Sequence, residues 1–364
     1  MIGIWTEELE LIEQLEKAAK DAAQEAVSKD RNGDREGAIE KYREAIKYLR
    51  KLYFYSEDEY RRRVYLEKIT EYTSRIKTLK EGLKPVTIER KPSITWNDII
   101  GLEDVKRVIR ESIVYPYRRP DLYPLGWPRG ILLFGPPGCG KTLVATAVAN
   151  EIDAEFYSVD AATLLSKWLG ESEKNIKELF TRARETSLKG KPVIIFIDEV
   201  DALTSKREME VGGEVRARTQ LLKEMDGLEN KGRKFYLYVL AATNKPWELD
   251  EPFIRRFQKR IYVKLPGLQE RIKLFKYYCR RLKVSPEVDF EKLAMETEYY
   301  SAEDIYLLCV DVQNKLAKEV LELNLPQREA TFQDFLEALN NRKTSIILEN
   351  LRRYEEWANR YKAI

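Results

Sequence analysis

Histidine is absent from all 364 residues, and that single absence removes whole classes of chemistry. Ser-His and Cys-His nucleophilic catalysis, zinc motifs of the H-E-x-x-H kind and any imidazole general base are excluded. Catalysis must therefore rest on Lys, Arg, Asp, Glu, hydroxyls and bound metal. Cysteine is nearly as scarce: Cys139, Cys279 and Cys309 have neither metal-binding nor redox spacing and read as free thiols in a reducing compartment. No apolar run reaches membrane-spanning length, and the opening MIGIWTEELELIEQ is acidic rather than signal-like. An excess of one charge is lacking too. Lys and Arg number 64 against 61 Asp and Glu, a net charge of +3, which argues against an extended nucleic-acid footprint. The expectation is a soluble, cytoplasmic protein that meets a membrane only indirectly. What is abundant is hydrophobic content, 43%, enough for two or three domains with real cores.

Three regions follow one another along the chain. From Leu9 to about Leu83 apolar residues recur at helical spacing: Leu15, Ala18, Ala19, Ala22 and Ala26, then Ala38, Tyr42, Ala45, Leu49 and Leu52, then Leu66, Ile69, Tyr72, Ile76, Leu79 and Leu83. Asn32-Gly33 and the cluster Ser56 to Glu59 supply breaks, so residues 1–81 are predicted to form a three-helix bundle. GLKPVTIERKPS, within 82–93, has two prolines and no periodicity. It reads as a linker that spans at most roughly 40 Å. Over 94–265, β-branched runs (ILLF, FYSV, VIIFI, FYLYVLAAT, IYV) alternate with helical patterns. That alternation predicts an α/β fold with a parallel sheet flanked by helices. After Pro266-Gly267 the chain reads as helical through 266–364, a C-terminal helical lid.

The chemistry clusters at strand ends. The run Ile131 to Phe134 leads into Gly135-Pro136-Pro137-Gly138-Cys139-Gly140-Lys141-Thr142, then Leu143 and a helical pattern. This is a phosphate loop in its required context: glycines turn backbone N–H groups inward, the helix N-terminus adds positive potential, Lys141 reaches β and γ oxygens, and Thr142 offers its hydroxyl to Mg²⁺. Cys139, near that helix N-terminus and Lys141, is expected to have a lowered thiol pKa. Downstream, Val193 to Ile197 ends in Asp198-Glu199. Asp198 suits the Mg²⁺ shell, and Glu199 can orient and deprotonate an attacking water. A third strand pattern, Tyr236 to Ala242, ends in Thr243-Asn244. Asn244 is either a polar sensor of the γ-phosphate or a turn former before Lys245-Pro246. Trp168, in SKWLGESEKN, is either a core anchor or a functional aromatic, and local sequence leaves both open.

The order of motifs resolves several of these choices. Trp96 to Leu102 (WNDIIGL), GPPGCGKT, SKWLGESEKN, IIFIDEVDAL, LLKEMDG, AATNKPWELD and IRRFQKRIYV together resemble an AAA ATPase of the meiotic clade. DREGAIEKYREAIKYLRKL in the N-terminal region is similar to a microtubule-interacting-and-trafficking (MIT) domain. The pairing most resembles the vacuolar-sorting ATPases that dismantle ESCRT-III polymers and their archaeal cell-division counterparts. The resemblance implies ATP and ADP as ligands, contacted also by Asp98, Ile100 and Ala302, and Arg255 and Arg256 as fingers reaching the neighbouring subunit's site in a homo-hexamer. It implies that Lys167, Trp168 and Leu169 form a pore loop that grips substrate. Ala302 stands where the family usually has glycine, in YYSAED, and the family's β-rich lid insertion is absent between Val310 and Gln333.

The resulting expectation is an Mg-ATP-driven machine that disassembles ESCRT-III-like filaments, captured through the MIT-like domain, in membrane scission or cell division. A nucleic-acid translocase and a proteasome-type unfoldase are the rivals. Near-neutral charge and the lack of a DNA-binding module oppose the first, and the ending Lys362-Ala363-Ile364 opposes the second.

Overall fold

The computed structural model describes residues 2–31, 34–56, 58–81, 93–161, 171–203, 212–229 and 235–361. The pore-loop residues Lys167, Trp168 and Leu169, and all but the last residue of the 82–93 segment, lie outside them. The chain divides into two compact units, Met1–Val86 and Thr87–Ile364.

The first unit is three helices, α1 (Ile2–Arg31), α2 (Arg35–Tyr55) and α3 (Glu59–Glu81). Asp34 caps α2 by accepting the Gly37 N–H at 3.0 Å, the usual service of an Asp at this position. The apolar spacing read from the sequence becomes two small cores. One gathers Leu15, Ala19, Leu49, Leu52 and Tyr65, and the other Ala26, Ala38, Tyr42, Ile46 and Ile76. Beside the second core, Arg75 of α3 donates twice to Asp30 of α1, both at 2.7 Å, and Arg75 is only 5% exposed.

The second unit opens with α4 (Glu103–Ile109), which runs on through a π turn, Arg110–Val114, into α5 (Tyr115–Arg118). Five strands follow: β1 (Gly130–Phe134), β2 (Glu155–Asp160), β3 (Val193–Asp198), β4 (Leu237–Thr243) and β5 (Lys259–Tyr262). They form one all-parallel sheet in the order β2-β3-β4-β1-β5. The central strands β1 and β4 are buried along their whole length, which is why they read as unbroken apolar runs rather than alternating ones. Helices α6 (Lys141–Glu151), α7 (Glu171–Leu188), α8 (Gly212–Asp226) and α9 (Glu251–Arg256) connect and flank them.

The lid is α10 (Leu268–Tyr278), α11 (Phe290–Glu296), α12 (Ala302–Leu321) and α13 (Phe332–Asn341), packed around Phe275, Leu293, Ile305, Leu308 and Phe335. Among the described residues, its β pairing is a single isolated bridge, Val284 to Ala330. Cys279 and Cys309 are free thiols buried in this core with sulfurs 3.7 Å apart. A last helix, α14 (Leu348–Arg360), packs on the sheet unit. Among the described residues, no helix is long and apolar enough to cross a membrane.

Candidate functional site

All five strands are parallel, so their C-terminal ends open on one edge of the sheet, the edge where such sheets bind ligands. Phe134 of β1 lies in register with Thr243 of β4, and Ile197 of β3 with Ala241. The phosphate loop, the Asp198-Glu199 pair and Asn244 are thereby side by side, although more than fifty residues separate the first two in sequence.

The loop leaves β1 with Gly135 at φ 148°, Gly138 at φ 70° and Gly140 at φ 90°. Gly138 shows why no side chain is tolerated. A Cβ there would fall 2.7 Å from Ser301 Oγ and 2.8 Å from Glu303 Cβ. Those atoms belong to the start of α12, where Ser301 and Asp304 form a reciprocal cap and the Glu303 N–H donates to the Gly138 carbonyl at 3.1 Å. The lid is thus hydrogen-bonded to the phosphate loop itself.

Lys141 opens α6 and is 7% exposed. Its ammonium donates to the carbonyls of Gly135 at 2.9 Å and Pro136 at 2.8 Å. Burial pushes its pKa down to about 8. The nearby Cys139, Asp198 and Asp201 only partly offset the loss of hydration. Thr142 donates to Asp198 Oδ2 at 3.1 Å, and the other oxygen of Asp198 accepts the Glu199 N–H at 2.9 Å. Glu199 is exposed and holds a left-handed backbone, φ 50°, an uncommon state for a residue with a side chain. Asn244 follows β4, and its Oδ1 is buried without a hydrogen-bond partner.

These groups line one cavity of about 460 Å³. Pro137, Gly138, Gly140, Lys141, Thr142, Leu143, Asp198, Glu199, Asn244 and Ala302 all face it. So do three lid residues that the sequence reading missed, Tyr278, Glu303 and Tyr306. Their only signal was proximity: Tyr278 ends α10, while Glu303 and Tyr306 flank Ala302 within a turn.

Other expected residues stand elsewhere. Gly135 and Pro136 lie behind Lys141 as its acceptors. Asp98 turns back to accept the Thr95 N–H and hydroxyl, both at 2.8 Å, and the Tyr277 hydroxyl at 3.1 Å, while Ile100 packs against the lid core. Neither lines the cavity. Arg255 is exposed and paired with Glu251 at 2.6 Å, one turn back on α9; Arg256 donates to Asp226 at 2.8 Å. Neither arginine faces the cavity of its own chain. The expectation for Cys139 is corrected. Its thiol is buried, and desolvation raises its pKa to about 12, outweighing the opposing pull of Lys141.

A sheet of this order, with a phosphate loop, a strand-end acidic pair and a helical lid closing one cavity, defines a nucleotide-hydrolysing P-loop enzyme. Comparison with known proteins narrows the class. The family described as "ATPase family associated with various cellular activities (AAA)" matches residues 131–265, and the "MIT (microtubule interacting and transport) domain" matches residues 16–81. "Cell division protein C" of Sulfolobus acidocaldarius is 48% identical, over 96% of this chain and 98% of that protein. The chain belongs to the AAA ATPase family and is an ATP-hydrolysing enzyme with an N-terminal MIT domain.

A katanin p60 ATPase-like protein of Rattus norvegicus is 38% identical over 77% of this chain, which spans only 61% of that protein. The solved FIGL-1 AAA domain in complex with ADP is 34% identical, with a TM-score of 0.65, over 74% of this chain and 91% of that one. A structure described as the basis for katanin self-assembly is 31% identical, with a TM-score of 0.62, over 73% and 91% of the respective chains.

Proposed function

We propose that this ATPase hydrolyses Mg-ATP around a homo-hexameric ring to pull ESCRT-III-like filaments into their component chains during cell division, in the cytoplasm. The observation that carries the reading is the single cavity shared by Lys141, Thr142, Asp198, Glu199 and Asn244, in a chain that also has an MIT domain. The cavity suits a nucleotide phosphate chain. Lys141 is a buried cation whose acceptors are uncharged carbonyls, and the unpaired buried Oδ1 of Asn244 is an acceptor open to a water beside the phosphates. Thr142 Oγ1 and Asp198 Oδ2, 3.1 Å apart, are the hard oxygen donors that Mg²⁺ prefers. Bound Mg²⁺ would neutralise the phosphate charge that develops during transfer.

The chain's own residues divide the work. Lys141 and the loop amides hold the phosphates, Glu199 orients the attacking water and accepts its proton, and Asn244 positions that water or the γ-phosphate. Arg255 and Arg256 act on the neighbouring protomer's nucleotide, where guanidinium groups stabilise transition-state charge. Tyr278, Ala302 and Tyr306 close over the base and ribose. Residues 1–81 serve as the capture module, 82–93 as a tether, 94–265 as the large ATPase part and 266–364 as its small helical part. In the capture module a groove of about 610 Å³ runs between α1 and α3, with Ala19, Ala23, Val27, Leu52 and Tyr72 for an apolar face and Lys20 and Lys68 on its walls. It suits an amphipathic segment of a filament protein.

The experiment is ATP turnover measured beside disassembly of a polymeric MIT-binding filament. Trp168→Ala should keep nucleotide binding and much of the basal turnover but abolish disassembly, and Trp168→Tyr should restore part of it, because the flat apolar face matters more than the indole N–H. Disassembly at the normal rate by Trp168→Ala would overturn the threading mechanism.

A further inference from the structure

Helix α14, from the far end of the sequence, packs against the ends of the strands that carry the phosphate loop and Asn244. Its inward face is Tyr354 and Trp357, 3% and 6% exposed. The Trp357 ring lies 4.6 Å from that of Phe134, the residue at the end of β1 where the phosphate loop begins. Tyr354 stacks on Tyr262 at 5.8 Å and packs on Trp247 at 5.0 Å, and the Arg353 guanidinium sits 3.9 Å over Trp247. The Tyr354 hydroxyl donates to the main-chain carbonyl of Asn244.

The bond to Asn244 matters because of what surrounds it. Thr243 is fixed on one side by donating to Asp201 at 2.6 Å, and its hydroxyl oxygen accepts the Lys245 N–H at 2.9 Å on the other. Asn244 itself lies between these anchors, with a side-chain oxygen that is buried in the cavity wall and unpaired. An amide side chain reaches only as accurately as its backbone is held. Small displacements at a reacting centre lower rates far more than they lower binding.

We propose that Tyr354 is a positioning residue for hydrolysis: its hydroxyl fixes the peptide of Asn244 and thereby aims the Asn244 side chain at the reacting phosphate or water. Tyr354 does not touch nucleotide. It acts through Asn244, so the inference rests on the role given above to that residue. The aromatic cluster of Phe134, Tyr262, Trp247 and Trp357 holds the helix in place, while the hydroxyl contributes the alignment.

Tyr354→Phe separates the two, because it keeps the ring stack and deletes only the donor. Loss of one such hydrogen bond corresponds to a fall in kcat of about three- to tenfold. KM for ATP, the affinity for a fluorescent ADP analogue and the melting temperature should stay near wild type. Asn244→Ala should lower kcat as well, and the Asn244→Ala/Tyr354→Phe double variant should be no slower than Asn244→Ala alone, since the second change then has nothing left to align. If Asn244→Ala lowers kcat but Tyr354→Phe does not, or if their effects multiply in full, the proposal is overturned while the role of Asn244 survives. An unchanged kcat in Asn244→Ala removes both. Trp357→Ala keeps the hydroxyl and loses packing on Phe134, so it should lower the melting temperature more than Tyr354→Phe does. A kcat loss in folded Trp357→Ala as deep as that of Tyr354→Phe would assign the effect to helix packing and overturn the proposal.

Discussion

Raising the pH from 7 to 9 should weaken nucleotide binding through Lys141 alone. Burial disfavours its charged form and has pushed its pKa down from 10.5 to about 8, which corresponds to roughly 3 kcal/mol against the ammonium. A phosphate chain placed against that ammonium favours the charged form and draws the pKa back up. The sign follows directly. In the free protein Lys141 loses its proton as pH rises through about 8, whereas the bound state requires the proton, so affinity is full below that point and falls above it. With about nine-tenths of the free protein protonated at pH 7 and one-tenth at pH 9, the apparent Kd should rise about tenfold across the interval. Fluorescence titration with an ADP analogue at fixed ionic strength measures this, with Lys141→Met as the baseline that carries no titrating ammonium. Calorimetry at pH 8.5 in buffers of different ionisation enthalpy should show proton uptake on binding. A wild-type Kd that stays within twofold from pH 7 to 9, or changes in parallel with Lys141→Met, would refute the argument.

Three further outcomes are expected. Glu199→Gln should bind Mg-ATP yet lose about 10²- to 10⁴-fold in turnover, because the phosphate and metal ligands remain while the water loses its base; light scattering should report larger assemblies with ATP, and normal turnover would remove Glu199 from the mechanism. Arg256→Ala and Lys141→Ala, each inactive alone, should partly recover hydrolysis when mixed, since some interfaces then join an intact loop to an intact finger; confirmed mixed rings with no recovery would oppose action in trans. Arg75→Met removes the cation paired with Asp30 and leaves its carboxylate the Tyr42 hydroxyl as a donor, so it should destabilise the three-helix unit by about 2–4 kcal/mol; circular dichroism should show an earlier melting step, and an unchanged melt would deny the buried pair its structural role.

The parts of the site that one strand end supplies were legible in the sequence, because glycine spacing, Lys141, Thr142 and the Asp198-Glu199 pair are local patterns bound to a buried-strand run. The three helices of the first unit were legible for the same reason: a 3.6-residue period survives without knowledge of tertiary contacts. Tyr278, Glu303 and Tyr306 were not, because they reach the cavity only after α10 and α12 fold over it, and nothing in their neighbourhood marks that destination. Cys139 shows the opposite error. Sequence proximity to Lys141 and a helix N-terminus is visible, whereas the burial that outweighs both is a property of the packed core. Asp98 was lost to a local competitor, the Thr95 backbone and hydroxyl, which capture its carboxylate.

The contact of Trp357 with Phe134 also sets an order of events at the ribosome. Roughly 220 residues separate the two positions, so at about 5–20 residues per second the end of β1 emerges some 10–45 s before its covering indole is even made. During that interval the strand's terminal aromatic ring has Tyr262 to stack on but not Trp357, and Asn244 lacks the hydroxyl that holds its peptide. A nascent chain can hold the Asn244 peptide through Tyr354 only after α14 has been synthesised, and until then a chaperone has an aromatic surface to shield.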